Sequence, residues 1–245
     1  MRTYKLTIAY DGTRYQGWQR QMNTDRTIQG ILEKVICEQT GYKVEINGSG
    51  RTDAGVHAKG QTASIVLAGQ PEDGFFTEKI NRFLPEDIRI LDAQLVKNGF
   101  HARKSAMGKA YEYYIDTGEK PDVFTRRYCY HFPHELDLER MREAAGYLLG
   151  THEFQAYTDK KDETSTKRTI YDIMISGQDG RVAIEYKGTG FLYHMVRILT
   201  GTLLEAGTHQ RTAESVRDAL RTKDRGQAGF LAPARGLFLK EVWYK

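Results

Sequence analysis

The sequence predicts an α+β fold with mostly antiparallel strand pairing. The 245 residues contain two kinds of segment in alternation. In one kind, apolar and polar residues alternate as in a strand, and in the other the apolar residues keep helical spacing. Two predicted strands are also joined by the short turn sequence Gly177-Gln-Asp-Gly180, which is typical of a β-hairpin. Because the order of strands and helices recurs in the second half, we expect two related sheet-and-helix halves. We place these halves at residues 1–104 and 105–245.

In the first half, capping and turn residues bound the predicted elements. Thr27 is a good N-cap, the apolar residues that follow it keep helical spacing, and Gly41 ends the helix. A weaker helix is predicted over 77–83. Alternating apolar and polar residues predict strands over 4–10, 42–46, 62–67 and 89–96.

In the second half, three more helices are predicted. Asp137 caps a helix that ends at Gly150, a longer helix covers 191–206, and Thr212 caps the last helix. The predicted strands of this half cover 111–115, 127–132, 171–175, 182–186 and 237–244.

The composition indicates a soluble globular protein, with 40% hydrophobic residues and a mean hydropathy of −0.59. No apolar run approaches the roughly 18 residues of a membrane span, and the N-terminus begins with a strand pattern instead of a signal peptide. Cys37 and Cys129 lie in apolar or aromatic runs, so we interpret them as buried thiols of a cytoplasmic protein. The formal net charge of +4 is a weak sign of an anionic partner.

A glycine-rich connection between two predicted strands carries a candidate functional carboxylate. Residues 47–57 read Asn-Gly-Ser-Gly-Arg-Thr-Asp-Ala-Gly-Val-His, so Asp53 stands among three glycines and two residues after Arg51. Glycines let the backbone approach a ligand closely, and loops of this kind often carry function. Taken by itself, an aspartate in such a loop is more often a simple turn residue.

Arg197 is the candidate cation of the second half. In the predicted helix it shares one stripe with Tyr193, Gly201 and Leu204, where an arginine is unusual unless it is paired. The pattern alone favours another interpretation, in which Arg197 extends its charge into water from the surface. The sequence has no zinc-ligand spacing, Walker-type loop or dinucleotide fingerprint, so we expect neither a metal nor a cofactor.

Five collinear motifs cover nearly the whole chain. They are Tyr10-Asp-Gly-Thr-Arg-Tyr-Gln-Gly-Trp-Gln-Arg-Gln21, Gly50-Arg-Thr-Asp-Ala-Gly-Val-His57, Phe100-His-Ala-Arg103 with Lys109-Ala-Tyr-Glu-Tyr113, Phe191-Leu-Tyr-His-Met-Val-Arg197, and Lys223-Asp-Arg225 with Ala232-Pro-Ala-Arg-Gly-Leu237. Together they resemble the tRNA pseudouridine synthase A family. The resemblance implies two ferredoxin-like (RRM-like) halves that share a mostly antiparallel central sheet, with helices packed on it and a central active-site cleft.

The resemblance also implies a reaction and the residues that perform it. The family isomerises uridine to pseudouridine in the anticodon stem-loop of tRNA, at positions 38, 39 and 40, and needs no cofactor. Asp53 matches the catalytic aspartate, either as a nucleophile on the sugar or as a base that removes a sugar proton. Tyr111 matches a tyrosine that stacks on the displaced base, Arg51 an arginine that contacts RNA and helps to flip the base, and Arg197 an arginine that pairs with the catalytic carboxylate.

The expected partners are tRNA and a second copy of the chain, since the family acts as a homodimer; we expect no membrane and no other protein. Basic and polar side chains in or near the motifs are candidate RNA contacts. In the first half they are Arg14, Arg20, Arg26, His57, Arg103 and Lys104, and in the second half Lys109, Lys160, Lys161, Lys167 and Arg168.

Two other functions stay open. A non-catalytic RNA-binding protein could have the same fold, because fold alone does not determine function. A hydrolase that cleaves N-glycosidic bonds could use the same carboxylate, but it would release free base. The motif residues Asp53, Tyr111 and Arg197 favour the synthase over the binding protein, because binding alone does not need a carboxylate held among glycines.

Overall fold

The computed structural model describes residues 1–160 and 165–245, and the described chain divides into two compact units. The first unit consists of Met1–Met107 and Phe238–Lys245, and the second of Gly108–Leu237. In the described part of the chain, no helix combines the length and apolar character that crossing a bilayer requires.

The first unit has the strand order of a ferredoxin-like fold. Strand β1 (Arg2–Tyr10) pairs antiparallel with β3 (His57–Leu67) on one side and with β4 (Ile88–Val96) on the other. The short β2 (Ile46–Gly48) pairs antiparallel with β3, which gives the order β4-β1-β3-β2. Helix α1 (Ile28–Thr40) connects β1 to β2, as expected for this β-α-β-β arrangement. The predicted α+β class is therefore confirmed here.

Helix α1 forms between the capping residues that the sequence predicts. The Thr27 side chain accepts a hydrogen bond from the Gly30 N–H, and Gly41 ends the helix in the left-handed conformation at φ 78°. Leu32 and Ile36 of this helix are fully buried, as are Leu6 and Ile8 of β1, so these side chains belong to the core of the unit.

The last strand, β10 (Leu237–Tyr244), has the predicted bounds but groups almost entirely with the first unit. It pairs in parallel with β3, opposite His57 and Ala58, and the Tyr244 hydroxyl donates to the Ala102 carbonyl oxygen over 2.7 Å. The single half expected over 105–245 is wrong in this respect. A parallel neighbour distant in sequence leaves no local signal.

The second unit is also a mostly antiparallel sheet with helices packed on it. The strands are β5 (Ala106–Asp116), β6 (Tyr130–His131), β7 (Gly150–Glu153), β8 (Lys167–Gln178) and β9 (Arg181–Gly188), and the helices are α2 (Leu138–Gly146), α3 (Met195–Gly207) and α4 (Ala213–Thr222). The sheet runs in the order β5-β9-β8-β7, and the short β6 pairs in parallel with the end of β5. Helix α2 contacts β8 and two further helices, α3 and α4.

The predicted hairpin is confirmed as β8 and β9. Both turn residues, Asp179 and Gly180, have positive φ, at 50° and 73°. Two consecutive positive φ values are typical of the type I′ turn, whose twist matches that of paired strands.

Three predicted element bounds and the interpretation of the cysteines are corrected. The strand expected over 42–46 begins only at Ile46, and the strand expected over 127–132 is limited to Tyr130–His131, because only those residues find a neighbouring strand. Helix α2 ends at Gly146, well before Gly150. Both cysteines, Cys37 and Cys129, are free and half-buried instead of fully buried.

Helix α3 begins four residues later than predicted. His194 precedes it with φ 62°, a left-handed conformation that cannot continue a right-handed helix. Tyr193 therefore lies outside the helix and not on the stripe of Arg197 and Gly201.

Gly201 lets a neighbouring segment lie against α3. A Cβ added at this position would come within 1.9 Å of the Phe230 carbonyl oxygen. The Gly229 N–H donates to the Thr202 hydroxyl over 2.8 Å, which holds the segment in place. Gly201 is thus a packing requirement, because no side chain fits between the helix and this backbone.

We expect Gly201→Ala to lower the thermal unfolding temperature. The helix propensity gained would be about 1 kcal/mol, which is smaller than an overpacking cost of about 1–3 kcal/mol, and the backbone of Phe230 cannot simply rotate away. Gly146→Ala is the matched control, because a Cβ there meets nothing within 4 Å among the described residues. The control should raise stability by roughly 0.5–1 kcal/mol. Similar upward shifts for both variants in calorimetry would contradict the packing role of Gly201.

Candidate functional site

Asp53 lies in the connection between β2 and β3, on the first unit. The Val56 N–H donates to the Asp53 carbonyl oxygen over 3.1 Å, and Gly55 has φ 77°, so the chain turns directly after the aspartate. Asp53 itself is half-buried, whereas its neighbour Arg51 is exposed. The turn therefore holds the carboxylate at the border between the core of this unit and its surface.

The motif at 10–21 packs against this turn. The Trp18 N–H donates to the Thr52 carbonyl oxygen over 3.1 Å, and the Gly55 N–H donates to the Tyr15 carbonyl oxygen over 3.3 Å. The hydroxyls of Tyr10 and Thr52 share a hydrogen bond of 2.8 Å. Two motifs about 40 residues apart in sequence thus form one structure around Asp53.

Two glycines of the 10–21 motif allow this approach. A Cβ at Gly12 would lie 2.0 Å from the Val56 carbonyl oxygen. Gly17 has φ 88°, and a Cβ there would lie 2.5 Å from the Thr52 carbonyl oxygen. Both positions therefore exclude a side chain for the same reason, which is contact with the backbone that carries Asp53.

His57 is 1% exposed, so the expectation that it contacts RNA is wrong. Its Nδ1 accepts from the Gly12 N–H over 3.0 Å, and its ring stacks on Phe238 with the centroids 4.5 Å apart. A side chain enclosed in this way holds the 10–21 motif to the start of β3. Its role in the structure is therefore packing.

Tyr111 lies on β5 of the second unit. Its side chain is 8% exposed, and its ring meets Phe191 edge to face at a centroid distance of 5.3 Å. Tyr113, on the same strand, is fully buried and donates its hydroxyl to the Pro233 carbonyl oxygen over 2.7 Å. Burial raises the pKa of Tyr113 well above its ordinary value, although the nearby charge of Arg197 opposes the shift. Tyr113 therefore stays neutral and structural.

Arg197 is held against the main chain of its own unit. Its Nε donates to the Ala232 carbonyl oxygen over 2.7 Å, and the Ala232 N–H donates to the Arg197 carbonyl oxygen over 3.2 Å. The residue is half-buried. The interpretation from pattern alone, a surface arginine extending into water, does not describe this side chain.

The fourth and fifth motifs meet at Asp159, a residue that sequence analysis did not single out. Its carboxylate contacts His194 Nδ1 over 2.7 Å and accepts from Arg225 Nε over 2.8 Å. Partial burial opposes ionisation of Asp159, but these two partners outweigh it and hold its pKa below the ordinary value. Because Asp159 lies outside both motifs, the sequence gives no signal for this bridge.

Two of the expected RNA contacts in the first unit already have carboxylate partners. Arg14 Nη2 lies 2.6 Å from Asp87 Oδ2, and Arg20 Nη1 lies 2.7 Å from Glu33 Oε2. Part of each positive charge is therefore compensated within the protein.

The remaining basic candidates differ in exposure. Arg168 of the second unit directs Nη1 at the carbonyl oxygens of Ser165 and Lys167. Lys109 is half-buried. Lys161 lies outside the described residues. The exposed candidates are Arg26, Arg103, Lys104, Lys160 and Lys167.

The first unit also contains a buried polar pair that is not among the predicted site residues. Gln29 and Glu33 of α1 are 6% and 5% exposed, and they share a helical stripe with Leu32 and Ile36. Two long polar residues four positions apart on an apolar stripe were a readable signal, because such groups are buried only when they are paired. Residues 1–160 and 165–245 contain no group of three or more His, Cys, Asp or Glu side chains suited to a metal ion.

Comparison with known proteins gives a consistent result. The profile of the family described as tRNA pseudouridine synthase matches residues 6–103 and 144–245. The chain is 45% identical to tRNA pseudouridine synthase A of Acetivibrio thermocellus over 100% of both chains, and 44% identical to tRNA pseudouridine synthase A 2 of Clostridium tetani over 99% of both. It is also 44% identical, over 99% of both chains, to tRNA pseudouridine synthase A of Bacillus sp. strain KSM-64. The chain therefore belongs to the tRNA pseudouridine synthase A family and is an isomerase that converts uridine in tRNA to pseudouridine.

Proposed function

We propose that this enzyme isomerises uridines 38, 39 and 40 in the anticodon stem-loop of tRNA, with Asp53 as its catalytic carboxylate. The observation that carries the proposal is the position of Asp53, half-buried on a turn that hydrogen bonds to the 10–21 motif. A group held in this way is preorganised for reaction, because its backbone need not reorder when the substrate binds.

The chemistry suits a single carboxylate. The bond between N1 of uracil and the anomeric carbon breaks, and the base turns while it stays bound. C5 then bonds to the anomeric carbon and loses its proton, and N1 takes up a proton in exchange. Atoms and electrons balance without an oxidant or a donor. Asp53 either adds to the anomeric carbon or removes a sugar proton, and both roles require it to be ionised.

The other motif residues support this reaction through the nucleotide. We assign Tyr111 to stacking on the displaced uracil, which offsets part of an unstacking cost of a few kcal/mol. Arg51 contacts RNA and assists base flipping, and Arg197 supplies the positive charge that keeps Asp53 ionised. The family resemblance supports these three roles, and the half-buried, held position of Arg197 is compatible with its role.

The partners proposed are tRNA and a second copy of the chain, in the cytoplasm, with no further protein. The family resemblance supports the homodimer. Two free cysteines suit a reducing compartment. For RNA contact, the exposed Arg51 and Arg103 are stronger candidates than Arg14 and Arg20, whose charges are partly compensated by carboxylates.

Asp53→Asn should abolish pseudouridine formation, because an amide neither adds to the anomeric carbon nor removes a proton. The affinity for tRNA should stay within about tenfold, or 1.4 kcal/mol. Release of tritium from C5-labelled uridine in tRNA measures turnover. Asp73→Asn makes the same charge change at an exposed position and should react as the wild type does.

Two results would contradict this assignment. Near-normal turnover of Asp53→Asn would remove Asp53 from the reaction. Free uracil in chromatograms of the wild-type reaction would indicate hydrolysis of the N-glycosidic bond in place of isomerisation.

Arg197→Met should lower turnover sharply, because a carboxyl without a neighbouring cation ionises less readily. The remaining activity should recover toward high pH. Arg197→Lys should keep more activity, though not all, since lysine has the charge but lacks the planar fork. Turnover is measured against pH at saturating tRNA, with Arg221→Met as the control for removal of an exposed arginine.

The competing explanation for Arg197 is a phosphate contact. In that case Arg197→Met would turn over normally at saturation, with a flat pH profile and a shallower salt dependence of tRNA binding. That result would overturn the ion-pair role.

The proposed chemistry needs no bound ion, so the enzyme should remain active on prefolded tRNA in excess EDTA. Prefolding the substrate separates the enzyme's requirement from the effect of magnesium on tRNA structure. A loss of activity that zinc or another metal restores, with the tRNA still folded, would contradict the mechanism.

A further inference from the structure

A continuous chain of hydrogen bonds leads from the buried face of α1 to Arg51. Arg51 Nε donates to Gln19 Oε1 over 3.2 Å, and Gln19 Nε2 donates to Gln29 Oε1 over 2.7 Å. Gln29 Nε2 in turn donates to Glu33 Oε1 over 2.9 Å. All four residues belong to the first unit, and this series of hydrogen bonds joins the exposed Arg51 to the buried Gln29 and Glu33.

The side-chain amide of Gln29 can take only one orientation in this series of hydrogen bonds. Its Oε1 also accepts from the Arg20 N–H over 2.9 Å, and its Nε2 also donates to the Ile46 carbonyl oxygen over 3.1 Å. Two donors therefore face its oxygen and two acceptors face its nitrogen. Exchanging the amide oxygen and nitrogen would make the contacts with the Arg20 N–H, the Ile46 carbonyl oxygen and Glu33 repulsive. Gln29 is 6% exposed, so water cannot compensate.

Glu33 determines which residue donates and which accepts at each hydrogen bond of this series. As a carboxylate it only accepts, and it takes the Ile46 N–H over 3.0 Å as well as Arg20 Nη1 over 2.7 Å. Because Gln29 must donate to Glu33, Gln29 presents its oxygen to Gln19. Gln19 must then donate with its nitrogen and present its own oxygen to Arg51.

The consequence at Arg51 is a fixed orientation of an exposed side chain. Gln19 holds Nε, which leaves both terminal nitrogens of the guanidinium for RNA, as far as the described residues show. An exposed arginine normally loses rotamer freedom when it binds a partner, and prior ordering removes that cost. A held guanidinium also approaches phosphate or base from one direction.

We propose that Gln29 and Glu33 are positioning residues that act on the reaction through Gln19 and Arg51. The proposal rests on the RNA-binding role assigned to Arg51. Neither Gln29 nor Glu33 contacts the substrate. They ensure that Gln19 presents an acceptor, and so determine where the Arg51 guanidinium stands when the uridine is displaced.

A double-mutant cycle between Gln29→Met and Arg51→Met tests the proposal, with single-turnover rates measured at saturating tRNA. Methionine keeps the length of glutamine but removes every hydrogen bond. We expect Gln29→Met to slow the reaction about tenfold, Arg51→Met to slow it more, and the double variant to match Arg51→Met alone. Residues that act independently would instead multiply their effects, and that result would overturn the positioning role.

The cycle separates failure of this proposal from failure of the assigned function. If Arg51→Met reacts at the wild-type rate, the role of Arg51 in RNA binding is wrong, and the positioning role falls with it. If Arg51→Met is slow and the effects multiply, Arg51 keeps its role and only the positioning role is lost.

Asn81→Leu is the matched control for loss of a buried amide. Asn81 lies in the same unit, is 7% exposed, and bonds to main-chain atoms of Thr77 and Ile90 away from the motifs. The Asn81→Leu variant should have a lower unfolding temperature but an unchanged single-turnover rate. An equal slowing by Asn81→Leu would assign the effect of Gln29→Met to general destabilisation.

Gln19 provides a test that does not disturb the helix. Gln19→Glu keeps an acceptor for Arg51 but loses the donor to Gln29, whereas Gln19→Met loses both. We expect Gln19→Glu to react several-fold faster than Gln19→Met, because hydrogen bonds to charged groups are the stronger ones. Equal rates for the two variants would overturn the proposal, even if Gln29→Met fails to fold.

Discussion

The architecture around Asp53 depends on the close approach of two backbone segments. Trp18 and Gly55 donate main-chain hydrogen bonds to Thr52 and Tyr15, respectively, and so join the 10–21 motif to the turn that carries the carboxylate. Such contact is possible only where side chains are missing, which explains why Gly12 and Gly17 stand at the closest points. The close contact between these two segments therefore explains both features: it requires glycine in the 10–21 motif, and it holds the turn that carries Asp53 in place.

In the second unit, segments distant in sequence are joined mainly by side-chain hydrogen bonds. Arg197 bonds to the segment that ends at Ala232, and Gly201 lets the same segment pass along α3. Asp159 joins the start of this helix to the fifth motif through His194 and Arg225. The motifs of this unit are therefore distant in sequence but share one set of contacts around a single helix. A substitution in one motif is expected to disturb the others for that reason.

The structure departs from the local pattern of the sequence where contacts within the fold override local preference. The alternating pattern at 42–46 gives no strand before Ile46, because strand structure requires a hydrogen-bonded neighbour and not only suitable side chains. His57 follows a glycine loop and is polar, yet its ring is packed on Phe238 from the distant last strand. Helix α3 starts at Met195 because His194 takes a left-handed conformation, which the apolar spacing after Phe191 does not reveal.

The sequence by itself determined the α+β class, most of the strands, the caps of α1 and the five motifs that identify the family. These depend on neighbours in the chain, since periodicity, capping and short motifs are local properties. Only the tertiary structure decided that the last strand returns to pair with β3, that Arg20 meets Glu33, and that Gln29 can face only one way. The pairing of the last strand joins residues far apart in the chain, so no local pattern announces it. The burial of Gln29 could be read from the stripe of α1, but its orientation depends on the Ile46 carbonyl oxygen and on the 10–21 motif, which only the folded chain brings to it.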